Sequence, residues 1–432
     1  MIFSPFQFPA ISYPLGNWMS RDDIPIIFNK AGGASGINKG VLVTLACAAA
    51  NFILGAFYAW SVFADGLIRE LAWTKAHTSL PFLVHIIGFS LMMVVAGRFQ
   101  DKIGPRFIVT LGGLFSGVGF ILCALFPTPI GMALSFGLLF GTGCAFGYAA
   151  VLPAALKWFP PEKKGLITGI VIMGQGLAAL VWPFLLTILI QQVGVIKTFA
   201  VWGLFLLVSV TLVAQLITIP PGGEVETRGR EETLSRSIFL GSAFIILWIM
   251  IGLSIGTGHM LTAHLAVIAT VNYQIRQGYL FVTFSALFNT IGRLTGGVIV
   301  DRLGYLRALG INFLALILSM LLFLQATGWW GVLAATVIFG FGYGGLFTVF
   351  PATLVEIFGL DNFGLKYGLL FTGVAVGGAL GSYFSGYLAD IFNSYNSTFI
   401  MGLAAGGAAL LLTSLLPKGA CRVPVQAEKL SE

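Results

Sequence analysis

Twelve apolar runs of membrane-spanning length follow one another along the chain, at residues 40–64, 78–98, 107–126, 131–156, 165–191, 198–219, 238–262, 276–299, 306–326, 330–355, 365–389 and 396–416. A helix of about 20 apolar residues crosses a hydrocarbon core, so each run predicts one transmembrane helix. The polar intervals are short, with one exception. PPGGEVETRGREETLSRS, residues 220–237, is a predicted linker between six helices and six more. The pattern divides the chain into an arm (1–39), a six-helix bundle (40–219), the linker (220–237), a second six-helix bundle (238–417) and a tail (418–432). Residues 1–38 carry Pro5, Pro9, Pro14 and Pro25 with scattered aromatics, and are expected to be a partly disordered arm.

The two halves repeat each other. GRFQDKIGPR at 97–106 matches GVIVDRLGYL at 297–306, setting Asp101 against Asp301. Gly143, Phe159, Gly165, Leu166, Gly169 and Gly174 match Gly342, Phe358, Gly364, Leu365, Gly368 and Gly373 at nearly the same offset. A parallel repeat of six helices predicts two bundles related by an axis along the membrane normal, with a ligand site between them near the midplane. The glycines of the fifth and eleventh helices would let those helices approach closely and slide.

One apolar run is chemically unlike the rest. FSALFNTIGRLTGGVIVDRLGYLR, residues 284–307, holds Arg293 well inside a helix, with Asn289 one turn earlier on the same face. An ionisable residue at that depth marks a substrate path or a cavity-facing group by default. A guanidinium is a planar donor fork that meets a carboxylate through two hydrogen bonds. The other reading of Arg293 is helix packing through backbone carbonyls; anion binding is preferred.

Composition agrees with a membrane protein, at 57% hydrophobic and 9% charged. The net charge of +7 lies in loops and is not a nucleic-acid footprint. Of the 23 Lys and Arg, only Arg69, Lys75, Lys197 and Arg276 fall in the loops on one side, while Arg293 is in neither set. The positive-inside rule therefore predicts a multi-pass protein of the cytoplasmic (inner) membrane with both termini cytoplasmic. Cys47, Cys123 and Cys144 lie in apolar runs and Cys421 in the tail, so buried thiols are expected rather than disulfides. No metal-ligand spacing, nucleophile elbow or phosphate loop appears, and an enzyme is not expected; nor is a cofactor.

Gly97-x3-Asp101-x-Ile103-Gly104-x-Arg106 after the second helix, with its copy at Asp301 to Arg307 after the eighth, resembles the loop signature of the major facilitator superfamily. Within it, three stretches are similar to the monocarboxylate transporters and the oxalate/formate antiporters: Gly55-Ala56-Phe57-Tyr58-Ala59-Trp60-Ser61; Trp158-Phe159-x4-Lys164-Gly165-Leu166-x2-Gly169; and Arg293 in the eighth helix. The fold implied is an all-α integral membrane protein, twelve helices in two pseudo-symmetric bundles. The resemblance implies substrate contacts from Arg293 and aromatic lining from Tyr58, Tyr148, Tyr343 and Phe347, with Asn289 orienting the arginine. It also implies that Asp101, Arg106, Asp301 and Arg302 act as a gate, the aspartates capping helix N-termini when the inside is closed.

Two departures shape the substrate expectation. Asn289 stands where animal monocarboxylate transporters carry an aspartate implicated in proton coupling. Val374 stands where the oxalate antiporter carries a second cation. One intramembrane cation suits a monoanion. The expected protein is a transporter of lactate- or pyruvate-like monocarboxylates, proton-coupled or exchanging, functional as a monomer in the bilayer. An oxalate/formate-type antiporter is the alternative, followed by a drug exporter. His85, mid-way along the second helix, is the candidate proton relay or else a hydrogen-bonded core group. His259 and His264 are expected near the outer end of the seventh helix.

Overall fold

The computed structural model describes residues 34–221, 241–392 and 394–417; the arm before them, most of the linker and the tail lie outside the described residues. Contacts divide the chain into Met1–Leu42 and Val43–Glu432, and the site belongs to the second unit. All regular structure among the described residues is helical. Helices are the only open-ended elements that satisfy every backbone polar group internally in lipid. The spans are α1 (Lys39–Leu71), α2 (Lys75–Ile103), α3 (Pro105–Leu125), α4 (Pro129–Leu156), α5 (Lys164–Val193) and α6 (Val195–Leu216). After the linker come α7 (Ser242–Val271), α8 (Gly278–Leu303), α9 (Tyr305–Gln325), α10 (Gly328–Phe358), α11 (Phe363–Phe392) and α12 (Asn396–Thr413). Eleven of these are long and apolar enough to cross a membrane. The remaining helix, α8, is long enough, but Asn289, Arg293 and the Asp301–Arg302 end dilute its apolar side chains.

The helices follow the apolar runs, and several outlast them. The seventh run ends near residue 262, whereas α7 continues to Val271. Thr262 and His264 lower the hydropathy without ending the helix, and the Thr262 hydroxyl donates to the Gly258 carbonyl at 2.9 Å within it. His259 therefore sits well inside α7, not near its outer end as its place in the run predicts. Two irregularities were not legible in the hydropathy. α1 tightens into a 3₁₀ turn over Gly55–Ala59, which carries Tyr58, and α4 contains a π-helical stretch over Ala133–Phe140. Such interruptions often sit at functional sites.

The repeat is visible in the packing. The first half pairs α1 with α5, α2 with α4, and α3 with α4 and α6; the second pairs α7 with α11, α8 with α10, and α9 with α10 and α12. The halves meet along α5–α8 and α2–α11. At the charged turn of each half a left-handed glycine reverses the chain, Gly104 (φ +98°) between α2 and α3 and Gly304 (φ +79°) between α8 and α9. A side chain would strain this conformation, which is why both copies of the charged turn need glycine. These turns mark one end of the molecule, the basic end.

At the basic end the halves are pressed together. A Cβ on Gly97 of α2 would fall on the carbonyl of Gly364 in α11, and a Cβ on Gly297 of α8 on the carbonyl of Gly165 in α5. Small residues allow this approach. Among the described residues, α7 has no substantial packing against any helix of the first half.

Candidate functional site

α8 buries one face, including Ser285, Asn289, Gly292, Arg293, Gly296 and Gly297. Its glycines bring the backbone against α10, where a Cβ on Gly296 would lie 3.0 Å from Gly345, and against α5 at Gly165. The side chain between them is Arg293, 2% exposed. Its Nε donates to Asn289 Oδ1 at 2.9 Å, and one terminal nitrogen donates to the Ile172 carbonyl at 3.2 Å and to Gln175 Oε1 at 3.5 Å. The other terminal nitrogen donates to Tyr58 OH at 3.3 Å. Phe347 covers the guanidinium, its ring centroid 4.5 Å from Cζ, a cation–π contact. The Arg293 carbonyl in turn accepts from the Thr348 hydroxyl at 2.7 Å.

Every one of these side-chain acceptors is neutral. Among the described residues no carboxylate pairs with Arg293, so it is a buried cation without a counter-ion. Burying a cation costs several kcal/mol unless hydrogen bonds and an opposite charge offset it. Here hydrogen bonds supply part of that offset, and no acid supplies the rest. The partners also come from both halves: Asn289 and Phe347 from the second, Ile172, Gln175 and Tyr58 from the first.

Around this cluster the aromatic positions form two groups. Tyr343 meets Phe347 edge to face at 5.2 Å and lies over Gly258 of α7. Tyr148 of α4 is further along the interface, its hydroxyl accepting from Tyr367 OH of α11 at 3.1 Å. Phe371 packs on it at 5.2 Å and Phe89 at 6.0 Å. Both Tyr148 and Tyr343 lie within electrostatic reach of Arg293. Of the residues expected in the chamber, Arg293, Asn289, Tyr58, Phe347 and Tyr343 thus form one continuous contact set, with Tyr148 in an adjoining one.

His85 lies elsewhere. It is 3% exposed and ringed by Phe57, Phe82, Phe89, Phe136 and Phe140 at centroid distances of 5.2–6.2 Å, and its Nδ1 is buried without a hydrogen bond. This cage is inside the first half, and one ring, Phe57, stands between His85 and Tyr58 of the guanidinium cluster.

At the basic end the two aspartates are placed alike. Asp301 accepts from Gly165 N and Leu166 N, both at 2.7 Å, and Asp101 accepts from Gly364 N at 3.3 Å and Leu365 N at 3.1 Å. Each carboxylate caps the first turn of a helix in the opposite half, where orphan N–H groups and the helix dipole favour negative charge. Arg106 and Arg302 take no part in these caps; both are exposed. Lys366 is buried at this end, 3% exposed, and its Nζ donates to the final carbonyl of α10, Phe358 O, at 2.9 Å.

Sequence reasoning missed Gln175, the Ile172 carbonyl, Thr348 and Tyr367. Gln175 had a signal, a lone amide in the Gly174-Gln175-Gly176 stretch of an otherwise apolar helix. Tyr58→Phe tests the cluster directly. Losing one hydroxyl acceptor of a charged donor costs about 1.5 kcal/mol, at the low end for such bonds. Transport should lose roughly tenfold in apparent affinity, with membrane insertion unchanged.

The wider relationships of the chain agree with this architecture. The Major Facilitator Superfamily model matches residues 42–324 and 270–428. The chain is 31% identical over 346 residues to the uncharacterized MFS-type transporter YhjX of Escherichia coli, covering 76% of this chain and 83% of that protein. It is 24% identical over 388 residues to the oxalate:formate antiporter of Oxalobacter formigenes, covering 88% and 92%. Monocarboxylate transporters are among the relatives too. The fold superposes on that of FucP in the outward conformation with a TM-score of 0.72 at 14% identity, covering 87% of this chain and 99% of FucP. The twelve helices, their duplicated charged turns and the match along nearly the whole chain place this protein in the Major Facilitator Superfamily, a family of membrane transporters.

Proposed function

We propose that the protein carries small monocarboxylates of the lactate or pyruvate type across the cytoplasmic membrane by alternating access. The observation that carries the reading is Arg293: a guanidinium 2% exposed, between the halves, with only neutral acceptors. A carboxylate supplies the missing charge and takes a bidentate geometry by exchanging with the longest-bonded partner, Gln175, while the Tyr58 hydroxyl stays on the fork and donates its own proton to the anion. Asn289 holds Nε and so orients the fork; Phe347 and Tyr343 face the short aliphatic remainder. A relative named for exchanging organic acid anions, the oxalate:formate antiporter, supports this reading. Val374 on α11 offers no second fixed cation, which favours a monoanion over oxalate.

The conformational cycle is rocking of residues 40–219 against 238–417. The basic end is the cytoplasmic one, by the bias of Lys and Arg. Its closure by the Asp101 and Asp301 caps makes this the outward-facing state, and Arg106 and Arg302 tune the same turns from the surface. One protomer holds every element of the site. His85 is the remaining candidate for proton coupling, acting through its aromatic cage rather than by touching substrate.

The deciding measurement is counterflow in proteoliposomes with labelled lactate, formate and oxalate, with and without an imposed pH gradient. Lactate should accumulate and oxalate compete poorly. Stimulation by an inward proton gradient identifies symport, and dependence on internal anion alone identifies exchange. Preferential oxalate uptake at neutral pH would overturn the monoanion reading in favour of oxalate/formate antiport.

A further inference from the structure

His259 occupies a place on α7 that the site above does not use. Its ring lies over Gly378 of α11, where an added Cβ would stand 3.1 Å from Cδ2 and 3.4 Å from Nε2. Gly378 is two helical turns beyond Phe371, so it shares the face of α11 that carries Phe371 and Val374. Phe371 meets Tyr148 and Phe89 of the first half, so this face looks across the gap between the halves. The residue before it, Gly258, lies under Tyr343. Arg293, Phe347 and Tyr343 therefore follow one another along one wall, Tyr343 lies over the α7 residue next to His259, and His259 is partly exposed.

We propose that His259 is a second, titratable anchor of the same chamber, which receives the end of a substrate remote from Arg293 and, when protonated, admits the second carboxylate of a four-carbon dicarboxylate. The inference rests on Arg293 binding a carboxylate. Neutral imidazole offers no charge to a second carboxylate; imidazolium holds one through a charge-assisted bond. Two aromatic rings separate it from the guanidinium, a span that oxalate, with its carboxylates joined directly, cannot bridge. The ionisable side chains around this stretch are Tyr343 on α10, Arg293 on α8, and Tyr383 and Tyr387 further along α11, while α12 has none. His264, further along α7, stands apart against Gly386 and Tyr395. No carboxylate is among these groups, so the charge that stabilises imidazolium comes from the substrate itself.

The test compares labelled lactate and fumarate uptake at pH 5.5 and 7.5, in wild type, His259→Gln and His259→Lys; fumarate stays mostly doubly ionised down to about pH 5.5. The fumarate-to-lactate ratio should rise about tenfold at the lower pH in wild type. It should stay low at both in His259→Gln and high at both in His259→Lys. A ratio that changes with pH equally in His259→Gln, or does not change in wild type, overturns the role of His259. Absence of both lactate and fumarate uptake in folded wild type instead overturns the carboxylate reading of Arg293.

Discussion

Arg293→Lys should abolish carboxylate uptake in a protein that still inserts and folds. The arginine uses a planar fork to reach Asn289, the Ile172 carbonyl and Tyr58 at once, at 2.9–3.3 Å. Lysine keeps the charge as a point ammonium on a thinner stem with no second plane of donors. It cannot hold Asn289 with one edge and a carboxylate with another. Breaking a buried charge pair by spoiling one partner costs about 3–5 kcal/mol, which corresponds to a loss of at least ~100-fold in uptake. Folding is spared because the face of α8 that packs on α5 and α10 is made by Gly292, Gly296 and Gly297, not by the guanidinium. Proteoliposome uptake beside a thermal melt in detergent checks both halves of the expectation. Normal lactate transport by the lysine variant would remove Arg293 from the site.

The second large effect is expected from Gly297→Val. A Cβ at Gly297 falls on the Gly165 carbonyl, and a Cβ at Gly165 on the carbonyl of Gly297. Backbone cannot yield as a side-chain tip can, so α8 and α5 must separate. Separation breaks the two bonds of 2.7 Å that Asp301 accepts from Gly165 N and Leu166 N. Charge-assisted bonds of this kind contribute about 1.5–3 kcal/mol each. Losing both moves the balance between basic end closed and open by at least ~100-fold. Transport should fall accordingly, while lactate still binds from the basic side. The reporter is Gln100→Cys on α2, at a side chain 2% exposed beside Gly364. It should resist thiol labelling in the parent and react from the basic side in Gly297→Val. Gln100 belongs to the α2–α11 contact, not to α5–α8, so labelling there reports that the two halves move as bodies. Continued protection with normal transport would show that this contact is not part of a gate.

Much of this protein was legible in the order of its residues. Each span must close its own backbone hydrogen bonds in lipid, so a helix is announced by local composition alone, and twelve runs announced twelve helices. The duplication was legible because Asp101-x2-Gly104 and Asp301-x2-Gly304 answer a local demand, a left-handed turn after a helix end. Arg293 stood out because a buried cation is costly wherever it points. Hydropathy failed where polarity and helix ending come apart, as at Thr262 and His264, which hid the depth of His259.

What the tertiary structure decided is which faces meet. Gln175 and Ile172 reach Arg293 across 118 and 121 residues of sequence, and Tyr367 reaches Tyr148 across 219. No local pattern specifies those pairings. They follow from where glycines let two backbones touch and how each helix is then rotated. The same rotation turns His85 into a cage of phenylalanine rings and His259 onto the face of α11 that looks across the gap. Composition determined that the chain forms twelve helices of membrane-spanning length and that one arginine lies well inside one of them. Close packing of small residues between halves decided what that arginine touches, because helix rotation is set by long-range contact and leaves no trace in the hydropathy of any single span.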